Sequence, residues 1–339
     1  MADLTVRILR NTELYKPYEK LLLGQEISYP EKRALLQIAV LLLNDNNQTV
    51  QMLGYRIIVL YSNHTSDYVP LYDVALNKGY IPLSKILENE ERFSAKTEEN
   101  FFNSFHSSLA ENYRSGKIYR TEEQMKLSHF FRENTAQSVA VVAPTSYGKS
   151  ELFIDFCNSN QKNNICILVP TKALLAQTKR RLLEGISEDD DRKIITHPEM
   201  YVENDENIIA VLTQERLLRL FQKFDNVIFD HVFVDEAHNL LGRDQRSLLL
   251  AKVIVLLNNR HEKVAFKYLT PFLIDVQNIS TRYTQFKVEE FKVHESLKTE
   301  KFYLMDFRNG SILNIYDQYF DQFSESPSEK FTFLLNALA

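Results

Sequence analysis
Six short apolar runs between residues 138 and 270 constrain the fold of this chain more than any other feature: SVAVVA, NICILVP, KIITH, NIIAVL, HVFVDE and VAFKYLT. Each is rich in β-branched residues and too short for a helix, which predicts strands buried on both faces. Between them lie stretches with the apolar spacing of helices, such as TKALLAQTKRRLLEGI, QERLLRLFQKF and RSLLLAKVIVLLNNR. Buried strands alternating with helices predict a doubly wound parallel sheet. Ligands of such sheets bind outside the carboxyl ends of the strands, and the polar motifs here follow strands directly.

The residues ahead of this region, up to about Tyr113, have a different pattern. YPEKRALLQIAVLLLNDN has a proline near its start and an Asn-Asp-Asn stop, and TVQMLGYRIIVLYSNH, DYVPLYDVALNKGY and IPLSKILENEERF repeat the theme. We therefore expect an all-α domain over 1–114, an α/β domain over 115–275 and a connecting segment over 276–339. The charged stretch from Glu88 to Asn100 is the expected hinge or exposed turn. In the connecting segment TRYTQFKVEEFKV and EKFYLMDF have the look of strands, and SEKFTFLLNALA opens a helix.

Composition sets the remaining bounds. A chain of 339 residues, 44% hydrophobic and 25% charged, is that of a soluble globular protein of two or three units. No apolar run reaches the roughly 18 residues of a membrane span, and the start reads as no signal peptide. The two cysteines, Cys157 and Cys166, fall in a predicted helix and strand as core residues, so a reducing cytoplasm is the expected setting. The histidines are scattered without metal-ligand spacing. A net charge of -5 gives no global attraction to nucleic acid, so any such site must be a local basic patch.

The chemistry concentrates in two places. SVAVVAPTSYGKSELFIDF supplies the strand, the turn and the helix N-terminus that a phosphate loop needs. Pro144, Thr145, Ser146, Tyr147 and Gly148 make the turn. Lys149 would reach the β- and γ-phosphates, and Ser150 would place its hydroxyl on Mg²⁺. The other reading is an ordinary strand-to-helix connection. HVFVDEAHNLL then puts adjacent carboxylates where another apolar run ends. Asp235 could hold Mg²⁺ and Glu236 could polarise an attacking water. A charged strand end facing solvent is the plain alternative.

Together APTSYGKS and DEAH resemble motifs I and II of the superfamily-two helicases, the DEAD/DEAH-box group. YRTEEQ, with Gln124, resembles the adenine-recognising Q motif; VPTKALLAQ resembles motif Ia; LTQERL resembles the segment often written T-P-E-R-L; and YLTPF stands where motif III follows a strand. The resemblance covers about Lys117 to Asp275 and implies the first of two RecA-like domains, a P-loop NTPase fold. By it, ATP is bound by Gln124 and by Pro144 to Ser150, Mg²⁺ by Ser150 and Asp235, and Glu236, Lys149 and Asp235 carry hydrolysis. It places Thr171, Lys172, Thr213, Gln214 and Arg216 on the backbone of DNA or RNA. His238 and Thr270 would relay nucleotide state, although packing is the plainer role for the histidine.

The chain also departs from the family. Ser146 stands where glycine is usual, Tyr147 is bulkier, and Pro271 and Phe272 replace the small residues of motif III. No arginine-bearing QxxGRxGR motif follows, so a second RecA-like domain is not expected within this sequence and we expect the front half of a longer motor. Lys179, Arg180 and Arg181 form a basic cluster after motif Ia, read as a phosphate contact or as a solvated helix face. The phosphate loop and leading helices are similar to those of helicase subunits in bacterial antiviral systems such as Hachiman. The N-terminal helices show no chemistry of their own in the sequence, and such an extension could dock a protein partner or guide substrate. The resemblance implies an ATP-dependent helicase or translocase; the alternative is a nucleotide-gated binding module without turnover of its own.

Overall fold
The computed structural model describes residues 6–10, 12–13, 15–89, 101–116, 118–145, 147–187, 189–203, 205–273, 275–279, 288–293, 295, 298–306 and 312–326. Ser146, most of the charged stretch expected as a hinge and the helix expected at the end of the sequence lie outside the described residues. So do residues 281–287 of the TRYTQFKVEEFKV segment. Contacts divide the chain into two units, Glu123–Glu295 and a second formed by Met1–Glu122 with Ser296–Ala339.

The helical unit opens with α1 (Val6–Leu9), α2 (Tyr15–Leu23), α3 (Tyr29–Leu43), α4 (Gln48–Thr65), α5 (Val69–Asn77), α6 (Ile81–Asn89) and α7 (Phe101–Ala110). Starts and stops follow the sequence signals. Ser28 and Glu31 form a capping box on α3, and the Asn47 side chain accepts from Thr49 N and Val50 N at the start of α4. These two helices pack closely at Gly54, where an added Cβ would lie 2.9 Å from Leu42 Cβ. A two-residue hairpin, β1 (Arg114–Ser115) and β2 (Ile118–Tyr119), ends this stretch.

The other unit begins with α8 (Glu122–Glu133) and continues β3 (Val139–Val142), α9 (Lys149–Ser159), β4 (Ile165–Leu168), α10 (Lys172–Gly185), β5 (Ile194–Ile195) and β6 (Ile209–Leu212). After these come α11 (Gln214–Lys223), β7 (His231–Val234), α12 (Gln245–Arg260), β8 (Ala265–Thr270) and β9 (Glu289–Lys292). All six predicted strands are present. The seven strands lie in the order β5-β6-β4-β7-β8-β3-β9, and every pairing is parallel.

Alternation along each strand feeds two cores, one on each face of the sheet. Val139, Ile165, Ile167, Val211 and Phe233 enter one, with Phe153 and Phe156 of α9. Ala140, Cys166, Ala210, Val232 and Phe266 enter the other, with Leu217 of α11 and Ile254 of α12. Both faces are therefore covered, as an all-parallel sheet requires. Both cysteines are buried and free, and burial raises both thiols, Cys157 to about 12, so neither is poised as a nucleophile.

Two placements differ from the expected domain division. The strand β9 joins the parallel sheet as an edge beside β3, so this unit runs past 275 to Glu295. Residues expected as a connecting segment instead form β10 (Phe302–Asp306), β11 (Ile312–Asp317) and β12 (Gln322–Glu325), an antiparallel sheet of the helical unit. Ile315 and Phe320 are buried in the helical core, and Tyr18 Oη donates to Asp317 Oδ2 at 2.6 Å. Pairing between residues 299 positions apart leaves no local trace in a sequence.

Candidate active site
Five strands of the parallel sheet end at polar motifs, all on its carboxyl edge. The chain leaves β3 through Ala143, whose N–H donates to Thr270 O at 3.0 Å, and turns so that Tyr147 N donates to Pro144 O at 3.2 Å. Gly148 completes the turn at φ +97, a conformation that L side chains rarely adopt. No side chain caps α9 at Gly148, whereas Thr171, Thr213 and Asp244 cap α10, α11 and α12. Glu151 N donates to Gly148 O at 2.9 Å, and the first N–H groups of α9, at Lys149 and Ser150, are the ones an anion would satisfy.

Lys149 reaches from this turn to the end of β7. Its Nζ lies 3.3 Å from Glu236 Oε1 and 3.8 Å from Asp235 Oδ1. Burial pushes the Asp235 carboxyl above the usual carboxylate range, with Lys149 opposing the shift and Glu236 adding to it. Two carboxylates sharing one ammonium leave a net negative charge in a partly buried site, which a divalent cation would neutralise. The donor set of Ser150 hydroxyl and Asp235 carboxylate is oxygen only, as Mg²⁺ prefers. The residues present therefore fit MgATP: N–H groups and Lys149 for phosphate, Ser150 and Asp235 for the cation.

Glu236 adopts the left-handed conformation at φ 53 and ψ 47 at the entry to a short 3-10 turn, Ala237–Leu241. Its other oxygen, Oε2, lies 3.4 Å from His238 Nδ1, and Thr270 Oγ1 lies 3.5 Å from the same nitrogen. A continuous polar row thus runs Lys149, Glu236, His238, Thr270. Phe272, the unusual residue of motif III, places its ring 4.7 Å from the His238 ring and exposes much of its surface. Thr270 Oγ1 also donates to Phe272 O at 3.0 Å.

Gln124 on α8 donates its side-chain N–H to Tyr147 O at 2.9 Å, so the Q-motif residue holds the phosphate loop. Tyr147 packs its ring into the core and donates its hydroxyl to Glu295 Oε2 at 3.3 Å. The backbone N–H of Glu295 in turn donates to Glu123 Oε2 at 3.0 Å. Sequence reasoning named Tyr147 and Gln124 but neither Glu123, inside the YRTEEQ segment, nor Glu295, which belongs to no motif.

The expected nucleic-acid residues divide into exposed and structural ones. Thr171 and Lys172 are exposed at the start of α10, where Thr171 Oγ1 accepts from Leu174 N at 3.2 Å. Thr213 and Gln214 are buried at 5% exposure, Thr213 as the cap of α11. Arg216 donates to Thr196 O at 2.6 Å and ties α11 to the end of β5. In the basic cluster, Arg180 pairs with Glu184 at 3.7 Å and Arg181 with Glu151 at 3.8 Å, which partly neutralises that face. Beside these helices a cavity of about 130 Å³ is lined by Gln214, Asp235, Asn239 and Arg246 among others. Arg246 was missed by sequence reasoning.

Among the described residues no helix is long and apolar enough to cross a membrane, and none cluster as a metal site of three or more His, Cys, Asp or Glu.

Residues 121–267 match the family model described as DEAD/DEAH box helicase. The chain is 28% identical over 193 residues to Anti-bacteriophage protein B of Escherichia coli (strain K12), a match covering 51% of this chain and 26% of that protein. It therefore spans about a quarter of the length of that curated relative. Among solved structures it is similar to a hypothetical ATP-dependent RNA helicase from Sulfolobus tokodaii, with 18% identity, a TM-score of 0.42 and coverage of 56% and 57% of the two chains. It is also similar to the UvsW helicase from bacteriophage T4, with 20% identity, a TM-score of 0.38 and coverage of 62% and 76%. The matched segment contains the phosphate loop, both motif II carboxylates and the strands that carry them, so it is residues 121–267 that are similar to a DEAD/DEAH box helicase.

Proposed function
We propose that this chain is the ATP-hydrolysing part of a nucleic-acid helicase or translocase. The observation that carries the reading is Lys149 Nζ between Asp235 and Glu236, beneath the uncapped start of α9. Lys149 and the N–H groups of α9 would bind the phosphates of ATP. Mg²⁺ held by Ser150 and Asp235 would supply neutralisation of the charge that builds on the phosphates. Glu236 takes the proton of the attacking water, and its strained backbone holds the carboxylate at the cleft rather than along the strand. His238 touches both Glu236 and Thr270, so a change at Glu236 is felt at the end of β8.

The starts of α10 and α11, with Thr171 and Lys172 exposed on the first, are our proposed track for the DNA or RNA backbone, contacted without base readout. The similarity to Anti-bacteriophage protein B supports a role in defence against bacteriophage. The test is Mg²⁺-dependent ATP hydrolysis with and without single- and double-stranded DNA and RNA, beside Glu236→Gln. We expect turnover raised by one nucleic acid, and a loss of about 10²-fold or more in the variant with nucleotide binding retained. ATP-dependent nucleic-acid binding without turnover in either protein would favour a nucleotide-gated binding module. Nucleic-acid-stimulated turnover unchanged in Glu236→Gln would contradict the assignment of the base.

A further inference from the structure
Arg246 lies in the first turn of α12, which follows motif II after the 3-10 turn and the Asp244 cap. Its guanidinium points away from its own helix toward two others. One amine, Nη2, donates to the carbonyl of Pro170, the residue directly before the Thr171 cap of α10. Its Nε donates to Glu215 Oε1 at 3.2 Å, and Glu215 is the second residue of α11. The same side chain lines a cavity with Asp235 and Asn239 of the motif II segment and Gln214 of α11. One planar fork therefore meets three segments: the one that carries the catalytic carboxylates and the two proposed to hold nucleic acid. A lysine ammonium, a single point of charge, lacks the fixed fork that serves both acceptors.

We propose that Arg246 is a positioning residue that holds the N-terminal turns of α10 and α11 in register with motif II, and so couples nucleotide binding to the grip on nucleic acid. This rests on the function proposed above. The side chains of Arg246 and Glu215 are 54% and 43% exposed, and pairs so exposed contribute little to stability. Removing the pair is therefore expected to leave the fold intact. What is lost is the geometric tie between elements.

The experiment uses the full chain and three variants, Arg246→Ala, Arg246→Lys and Glu215→Gln. The first arm is amide hydrogen exchange without any ligand. Exchange at the starts of α10 and α11 is expected to rise together, by about fivefold or more, in Arg246→Ala and less in Glu215→Gln, while the start of α9 is unchanged. The second arm measures the affinity for a single-stranded DNA or RNA oligonucleotide with and without a non-hydrolysable ATP analogue and Mg²⁺. In the wild-type protein the nucleotide is expected to change oligonucleotide affinity by about 5–150-fold, the usual range of coupling between sites. That factor should fall toward one in Arg246→Ala and Arg246→Lys, with nucleotide affinity alone unchanged.

Unchanged exchange at both helix starts in Arg246→Ala overturns the proposal, whatever the nucleotide site does. So does a wild-type coupling factor retained in that variant. A wild-type protein that binds no nucleotide, with the exchange effect present, instead overturns the proposed function and leaves Arg246 as the tie between these elements.

Discussion

At Glu236 a residue with a Cβ occupies the left-handed region, which costs about 1–2 kcal/mol for an L-amino acid. The surroundings hold it there: Lys149 meets one carboxylate oxygen, His238 meets the other, and Ala237 behind it is fully buried. Tyr147 has a comparable place in the phosphate loop. Its carbonyl accepts from Gln124 and its hydroxyl reaches Glu295, so a residue bulkier than the family usually has becomes an anchor rather than an obstacle. Tyr147→Phe keeps the ring in the core and deletes only the hydroxyl. We expect about fivefold weaker ATP binding by titration, the equivalent of about 1 kcal/mol for one hydrogen bond. Unchanged affinity would mean that the hydroxyl does not help to set the loop. Lys149, Ser150, Asp235 and Glu236 were legible in the sequence because strand, turn and carboxylate pair follow one another along the chain. Arg246 was not, because an arginine in an exposed helical turn looks solvated until Pro170 and Glu215 are seen to approach it.

The six central strands were legible as elements because each is an unbroken apolar run buried on both sides. The edge strand β9 was harder to place. Its Glu-Glu-Phe-Lys carries charge, as an exposed edge does, and its position beside β3 depends on a partner about 150 residues earlier. A buried lysine and a buried histidine lie within the apolar strands. Lys267 on β8 is fully buried and donates to the carbonyls of Asn134, Thr135 and Gln137 at 2.6, 2.9 and 2.5 Å, which closes the end of α8. Burial lowers its pKa to about 7. His231 opens β7 at 5% exposure with its ring 4.9 Å from that of Phe156, edge to face. Burial, aided by the Lys267 charge, lowers its pKa to about 4 from 6.5. The unfolded chain therefore takes up a proton that the folded one refuses. Between pH 6.5 and 4 stability is expected to fall as pH falls, by up to about 3 kcal/mol from this group. His231→Phe fills the same apolar site without a titrating nitrogen and should flatten that limb in denaturant titrations run across the pH range. An acid limb of equal slope in the variant would assign the loss to other groups.

On the scale of the whole molecule, the chain contains two units with separate cores, and nearly all of the segment that matches the DEAD/DEAH box helicase model lies in Glu123–Glu295. The helical unit is completed by β10 to β12, which bring Ile315 and Phe320 to its core and Asp317 to Tyr18. In the same core Arg56 of α4 lies 5.2 Å over the Tyr319 ring, a cation–π contact between a helix and the returning segment. Strand propensity in the segment was visible, but its destination was not, because antiparallel pairing and long-range burial are set by tertiary contacts rather than by local pattern. The proposed function turns on whether the loop from Pro144 to Ser150 holds nucleotide. The most direct measurement is calorimetric titration of MgATP into the full chain and into Lys149→Ala. We predict a single saturable site in the wild-type protein and at least about tenfold weaker binding in the variant, a loss of about 1.4 kcal/mol or more. Equal affinity in the two proteins, or no binding to either, would contradict the assignment of this loop as the phosphate cradle.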